Sequence, residues 1–436
     1  MTSDKMVTMR PSGKTNCRHG CAFSWALRFA LWLLVSVQVP VALLAGPSSP
    51  RSVAMGGAYI GLASGVDAGR HNPANLGLMD YRRTGLELVG IGANIDNNSF
   101  TLGDYNKYSG AVLTSQDKDY ILSRIPRGGL ELSADAECSA LAFTTRNIGF
   151  TVAAVGLADI NLSKDIFELI LNGNTYADTI DVDGSYSEAV SYLSFGLSYG
   201  MPVYSAGTRQ LSVGATVKYL RGLAIEEVTE LQGLAATYED GFQGSGDAVI
   251  RTAEGGTGFA LDLGVAIQFN DDYTAGARIE NILSHLTWNR DAEEHRYLFE
   301  FDTMTVVNMN EDYVVSEEYS TPLGSFSTSL PAVMVIGFAK RSGDFRWAID
   351  WQQGFRQAAG TSTTPRLSLG AETYATDFLP VRIGFTAGGA ERTGFSFGSG
   401  LHFSTFYLDW AYVTGTSLPG YSSKGINLAI ATGLEF

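Results

Sequence analysis

Cysteine is nearly missing from this chain: three residues in 436. Two of them, Cys17 and Cys21, precede an apolar run near the amino end, so removal of that segment leaves Cys138 alone and no intrachain disulfide. Charge is also scarce, at 17% of residues, and basic charge scarcest, with 30 Lys and Arg against 45 Asp and Glu. A net charge of −15 excludes the basic balance of a nucleic-acid binder and suits a protein whose solvated loops carry acid. Past the amino end no stretch reaches 18 apolar residues, which excludes helical membrane spans. Catalytic motifs are absent as well. No Gly-x-Ser-x-Gly, His-Glu-x-x-His or phosphate-cradling loop occurs, and the histidines beyond the amino end (His71, His285, His295, His402) are scattered. The expectation is a protein that is not an enzyme, with no cofactor and no metal. Asp181-Val182-Asp183-Gly184-Ser185 lacks the further ligands and distal Glu of a calcium loop and reads as an acidic turn.

The amino end has the layout of an export signal. Arg10, Lys14, Arg18 and Arg28 lead into an apolar run from Phe29 to Leu44, and Ala45-Gly46 offers a small-residue cleavage point, although Leu43 is large for the −3 position. The basic lead-in is long enough to allow a start at Met6 or Met9. Residues 1–45 are expected to be a signal peptide; the competing reading is a retained anchor.

What is abundant is alternation. Phe259, Leu261, Leu263, Val265, Ile267 and Phe269 share one face of a strand, opposite Gly258, Ala260, Asp262, Gly264, Ala266 and Gln268. The segments 344–352, 394–403, 405–413 and 425–436 repeat the pattern, the last closing on Phe436. A soluble sandwich would alternate too. Here the second face is built from Gly, Ala, Ser and isolated charges, as a polar lumen would be, and short connections alternate with long ones. Fourteen strands are expected, near 84–95, 137–145, 147–157, 188–199, 209–221, 257–269, 273–283, 331–340, 344–353, 365–374, 379–388, 393–402, 405–414 and 425–436. The segments 96–136, 158–187, 222–256 and 284–330 then become long loops at one end, with the termini and tight turns at the other. The final strand is similar to the last strand of bacterial outer-membrane barrels. The acidic pairs Glu226-Glu227, Glu293-Glu294 and Glu317-Glu318 read as solvated loop faces, and Lys164–Leu171 reads as an amphipathic helix stopped by Gly173.

Residues 46–83 differ from the rest: rich in Gly and Ala, without strand alternation. They hold Arg51-Ser52-Val53-Ala54-Met55-Gly56-Gly57-Ala58-Tyr59, then Asp67-Ala68, then His71-Asn72-Pro73-Ala74-Asn75-Leu76-Gly77. This succession resembles the amino-terminal motif of the FadL-like superfamily, which includes fatty-acid and aromatic-hydrocarbon transporters and the PorV-type proteins of a secretion system. Gln353-Gly354-Phe355-Arg356 and Leu418–Gly425 resemble an uncharacterised branch of it. The resemblance implies an all-β fold, a 14-stranded antiparallel transmembrane barrel over 84–436, with 46–83 as a hatch or plug in its lumen. It also implies roles for Gly56, Gly57, Asp67, Asn72, Pro73 and Ala74 in that hatch. The residues themselves fit a tight turn: the glycines permit close backbone approach, Pro73 fixes φ, and Asn72 can bond nearby backbone.

If the apolar faces meet lipid, then Lys218, Asp262, Arg278, Glu280, Arg346, Asp350, Arg366, Glu372, Arg382, His402 and Asp409 point into the lumen, because a Lys or Arg facing lipid at midplane costs about 2–4 kcal/mol. Both signs occur, so a cross-lumen network is expected. Two functions remain open. One is passive uptake of a small hydrophobic molecule across the bacterial outer membrane through a hatch-gated lumen. The other is a PorV-like scaffold for a secreted or surface protein. Outer-membrane lipid, barrel assembly machinery during biogenesis, a hydrophobic small molecule and a secreted protein are the expected partners; nucleic acid is not.

Overall fold

The computed structural model describes residues 49–436 apart from 82, 174–178, 240, 305–313, 390–391 and 416–422. The signal segment expected at 1–45, Cys17 and Cys21 included, lies outside the described residues, as does most of Leu418–Gly425.

Fourteen strands close on themselves. In chain order they are β1 (Gly85–Asn97), β2 (Leu130–Thr145), β3 (Ile148–Leu162), β4 (Tyr186–Ala206), β5 (Arg209–Tyr238), β6 (Gly241–Gln268) and β7 (Tyr273–Met304). The second half contributes β8 (Val333–Ser342), β9 (Phe345–Gly354), β10 (Arg366–Thr376), β11 (Leu379–Gly388), β12 (Thr393–Phe403), β13 (Phe406–Gly415) and β14 (Gly425–Glu435). Each pairs antiparallel with the next, and β14 pairs back onto β1, with Ile430 opposite Ile91. Closure leaves the barrel wall without a free edge, the condition for a sheet to lie in lipid. Among the described residues no helix is long and apolar enough to cross a membrane. The crossing is made by strands whose outward side chains, such as Phe259, Leu263, Val265, Ile267, Phe397, Trp410, Leu428 and Ile430, are exposed around the wall.

The short connections sit at the end where β1 begins and β14 finishes. Two of their turns use Gly207 (φ 60°) and Gly343 (φ 61°), and two place non-glycine residues in the left-handed region, Arg146 (φ 53°) and Ser404 (φ 53°). At the opposite end the structure departs from the expected loops. Residues 222–256 and much of 284–330 continue as strand: β5, β6 and β7 are 30, 28 and 32 residues long, against 10 or 11 for β8 to β14. Pairing runs unbroken in direction from Gln210–Gln268 out to Tyr238–Gly241, with a further strand, Val314–Pro322, added along β7. Hydrophobic alternation is imposed only where lipid touches the sheet. Beyond it the backbone still pairs, but nothing demands an apolar face, so the pattern fades while the strand does not. The pairs Glu226-Glu227, Glu293-Glu294 and Glu317-Glu318 are therefore strand residues rather than loop residues.

Two helices, α3 (Leu102–Tyr108) and α4 (Ser115–Arg124), fill the β1–β2 connection, each opened by a capping box, Thr101 with Asp104 and Thr114 with Asp117. The β3–β4 connection carries α5 (Lys164–Asn172), ended by Gly173 at φ 72°. The remaining helices, α1 (Pro50–Ala54) and α2 (Ala68–His71), belong to the segment before β1.

Candidate functional site

Residues 49–81 pack inside the barrel, in the half nearest the short turns. α1 lies against β11 to β14, the Gly65–Asp67 turn against β1 and β2, α2 against β3 and β4, and the 3-10 turn Pro73–Gly77 against β4, β5 and β6. Buried loop backbone must find partners, and this plug finds them in itself and in the wall. Asn75 Nδ2 donates to Ile60 O and Ala63 O at 3.0 and 2.8 Å. Asn72 Oδ1 accepts from Ala74 N at 3.1 Å, while its Nδ2 donates to Val265 O on β6, also at 3.1 Å. Pro73 opens the 3-10 turn from an extended Asn72. Asp67 accepts from Tyr59 OH at 3.1 Å. Gly56 and Gly57 adopt φ of 66° and 84°; Gly56 abuts the Phe385 backbone and Gly57 the Arg366 guanidinium, so both conformation and space select glycine.

The wall is cut to match. A Cβ added at Gly200 or Gly214 would strike the backbone of Pro73–Gly77; one at Gly264 would strike Asn72; at Gly370 or Gly384, Met55 and Gly56; at Gly398, Ala54. Several of these are cross-strand partners, Gly200–Gly214–Gly264 and Gly370–Gly384. The inward small residues are thus a belt fitted to the plug.

Charges fasten the two together. Glu372 on β10 receives three guanidinium groups: Arg51 of the plug through two bonds of 2.6 and 2.7 Å, Arg346 at 2.7 Å and Arg382 at 2.7 Å. Arg382 also bonds Asp409 at 2.6 Å, and His402 Nε2 lies 3.1 Å from the same carboxylate. A second site joins Arg70 of α2 to Glu87 on β1 at 2.7 Å. In a third, Lys218 contacts Asp262 at 2.8 Å and Glu280 at 3.1 Å; Arg278 bonds Glu280 at 2.7 Å and reaches the Arg70 carbonyl. Asp350 on β9 accepts from the Tyr59 and Ile60 amides at 2.7 and 2.8 Å. Arg366 donates to Gln352 at 3.0 Å. His71 stacks edge-on against Tyr59, 5.1 Å between centroids. Burial, then the neighbouring Arg278 and Arg70, push its imidazole down to about 3, so it is neutral at pH 7.

Toward the long-loop end the lumen changes character. Val190, Tyr192, Leu220, Ile225, Leu286 and Trp288 form a buried apolar cluster on the inner faces of β4, β5 and β7. Next to it opens a cavity of about 350 Å³, reached by Leu157, Val190, Ile225 and Leu330, with Glu188, Glu227, His285 and Arg356 at its polar side. Sequence reasoning missed Trp288 and Leu286 because 284–330 reads as loop. It also gave no role to Arg51, Arg70 or Glu87, although Arg51 opens the quoted motif and Glu87 alternates with Leu86 and Leu88 on β1.

The sequence over residues 80–409 matches the family described as a family of unknown function, DUF5723. The chain belongs to that family. No curated protein matches the sequence. Among solved structures, the Ralstonia pickettii toluene transporter TbuX aligns over 91% of this chain and 99% of its own, with a TM-score of 0.52 at 15% identity. The P. putida toluene transporter TodX aligns over 90% and 99% (TM-score 0.49, 14% identity), and a Pseudomonas aeruginosa FadL homologue over 91% and 99% (0.49, 13%). At such identities the TbuX likeness shows the fold alone: this DUF5723 chain is a barrel of the TbuX fold.

Proposed function

We propose that this protein sits in the bacterial outer membrane and admits a small, largely apolar molecule from the long-loop side, the plug acting as the gate at the far end. The observation that carries the reading is the cavity: about 350 Å³, walled by Leu157, Val190, Ile225 and Leu330, in the outer half of a lumen whose inner half is occupied by the plug. Its size falls in the range usual for small-molecule sites. The toluene transporter TbuX, built on the same fold, makes uptake the natural comparison.

Asn72 is where gating is tested. It ties the Pro73–Gly77 turn to β6, and its removal leaves buried groups unpaired, at a cost of about 1–3 kcal/mol. Proteoliposomes carrying the purified barrel are expected to take up a neutral aromatic dye faster than empty ones, and Asn72→Ala is expected to raise that rate with the barrel's heat stability unchanged. Equal rates for wild type, variant and empty vesicles would end the uptake reading.

A scaffold role has its own supporting observation. β5, β6 and β7 exceed β8 to β14 by about 17–22 residues, roughly 50 Å or more along the strand. With Val314–Pro322 added, they form a sheet able to meet a protein at the surface. That reading predicts capture of a secreted protein which is lost when the sheet is shortened, with dye uptake unaffected.

A further inference from the structure

The cavity is not lined as a hydrocarbon site would be. Three carboxylates stand side by side on one rung of the inner wall: Asp159 on β3 is the cross-strand partner of Glu188 on β4, and Glu188 of Glu227 on β5. Like charges placed opposite one another repel. Two guanidinium groups near Glu227 offset this only in part, each being bonded elsewhere. Arg251, the next residue on the rung, is paired with Glu294 at 2.9 Å, and Arg356 donates to the Ser329 carbonyl. Asp159 accepts from Tyr186 OH at 3.2 Å and Gln357 at 3.4 Å, and Glu188 accepts from the Ala359 amide at 3.1 Å. Glu227 has no hydrogen bond to any described residue. Directly below, Leu157, Val190 and Ile225 occupy the next inward positions on the same three strands, so the acidic row borders an apolar floor.

The roof comes from the opposite wall. Residues 355–365 connect β9 and β10, six strands from β3, and they cross the mouth to reach it. Gln357 meets Asp159, Ala359 meets Glu188, and Gly360 lies against Leu157. Ala358 and Ala359 are buried in this crossing. The strap is therefore held partly by the same carboxylates that line the cavity.

We infer that the cavity is a binding site for small amphipathic cations: an apolar body resting on Leu157, Val190 and Ile225, with a protonated amine between Glu188 and Glu227. This deepens the uptake reading and rests on it. An ammonium supplies donors to Glu227, which has none among the described residues, and competes with the Ala359 amide for Glu188. Binding thereby loosens the strap that covers the mouth. Apolar burial alone would not discriminate an amine from its neutral analogue; the carboxylates do.

The test uses the purified full barrel in detergent with two probes of nearly equal size, 4-phenylbutylamine and 4-phenylbutanol, measured by calorimetry at pH 7. The amine is expected to bind roughly tenfold or more tighter, as hydrogen bonds to charged groups imply, and its advantage should shrink with added salt. Glu188→Gln with Glu227→Gln should erase the preference, so that amine and alcohol bind alike, with the barrel's heat-modifiable migration unchanged showing that the variant is folded. Glu227→Lys should turn the preference toward 4-phenylbutyrate. If the alcohol binds as well as the amine, or the preference survives in the double variant, the amine site is wrong and uptake of neutral molecules stands. If neither probe binds, the cavity is no ligand site and both readings fall.

Discussion

The two halves of the lumen solve opposite problems. Near the short turns the wall is fitted to the plug: glycines where the plug backbone touches the wall, and carboxylates and guanidinium groups where it is fastened. Toward the long loops the wall carries Leu157, Val190, Ile225, Leu286 and Trp288 and leaves a cavity open beside them. The contrast shows how one barrel can be both closed and receptive. The plug half gains specificity from charge pairs, whose partners must all be present at once, because a buried charge that loses its counter-ion is costly. The outer half sets an apolar floor of Leu157, Val190 and Ile225 beside the carboxylates Glu188 and Glu227, and under the proposed function this is the part that fills and empties.

The sharpest way to break the comparison is Glu372→Gln. One substitution leaves Arg51, Arg346 and Arg382 facing a neutral amide in a buried site. Removing one partner of a buried pair costs about 3–5 kcal/mol. The plug should release: residues 49–81 should become protease-sensitive, and small-ion conductance of single barrels in planar bilayers should rise. Binding in the outer cavity should be unaffected. A plug that stays protected in this variant would mean that the charge cluster braces only the wall.

Gly214→Val tests the belt by shape rather than by charge. Its side chain would occupy the backbone of Pro73 and Ala74. Overpacking costs about 1–3 kcal/mol, which shifts the docked-to-free ratio of the plug by about 5–150-fold. The same change at Gly128, in the β1–β2 connection with nothing near its Cβ position, has no plug to meet and serves as the control through its conductance. Equal conductance in the two variants would show that the fit at Gly214 is incidental.

The lipid-facing half of this architecture was legible because lipid enforces it: Phe259, Leu263, Val265 and Ile267 must alternate, and fourteen such segments could be counted. The outward reach of β5 to β7 was not, since no apolar face is required beyond the bilayer. Glu227 shows the consequence: read as a loop charge, it faces the cavity. Inward charges such as Arg382 and Glu372 could be assigned to the lumen by exclusion from lipid, yet their pairing could not. Arg51 and Glu372 are 321 positions apart, and only the closed barrel brings them together. The glycine belt was hidden for another reason. A glycine carries no chemistry of its own, so Gly214 and Gly384 read as generic lumen residues until the plug backbone is seen against them.

The smallest effect expected is also the most specific, because it separates one plug residue from the rest of the charge network. His71 is held neutral: burial comes first, Arg278 and Arg70 oppose its protonation further, and Glu280 offsets them only in part. Its value in the docked plug, about 3, lies below the ordinary 6.5. Released, it binds a proton near pH 6.5; docked, it does not. Between those values the free plug carries more protons than the docked one, so docking weakens as pH falls. One unit below 6.5 the penalty is about 1.4 kcal/mol, a tenfold shift toward release. Plug protection from protease should therefore be constant from pH 8 to 7 and decline from pH 6.5 to 5.5. In His71→Gln, which keeps a hydrogen-bonding side chain of similar reach without the titration, this part of the decline should disappear. Carboxylates elsewhere in the network would titrate in both proteins alike, so the difference between the two curves belongs to His71. Superimposable curves would mean that the imidazole is not enclosed as the structure has it, and that the plug half is less tightly sealed than its charge pairs suggest.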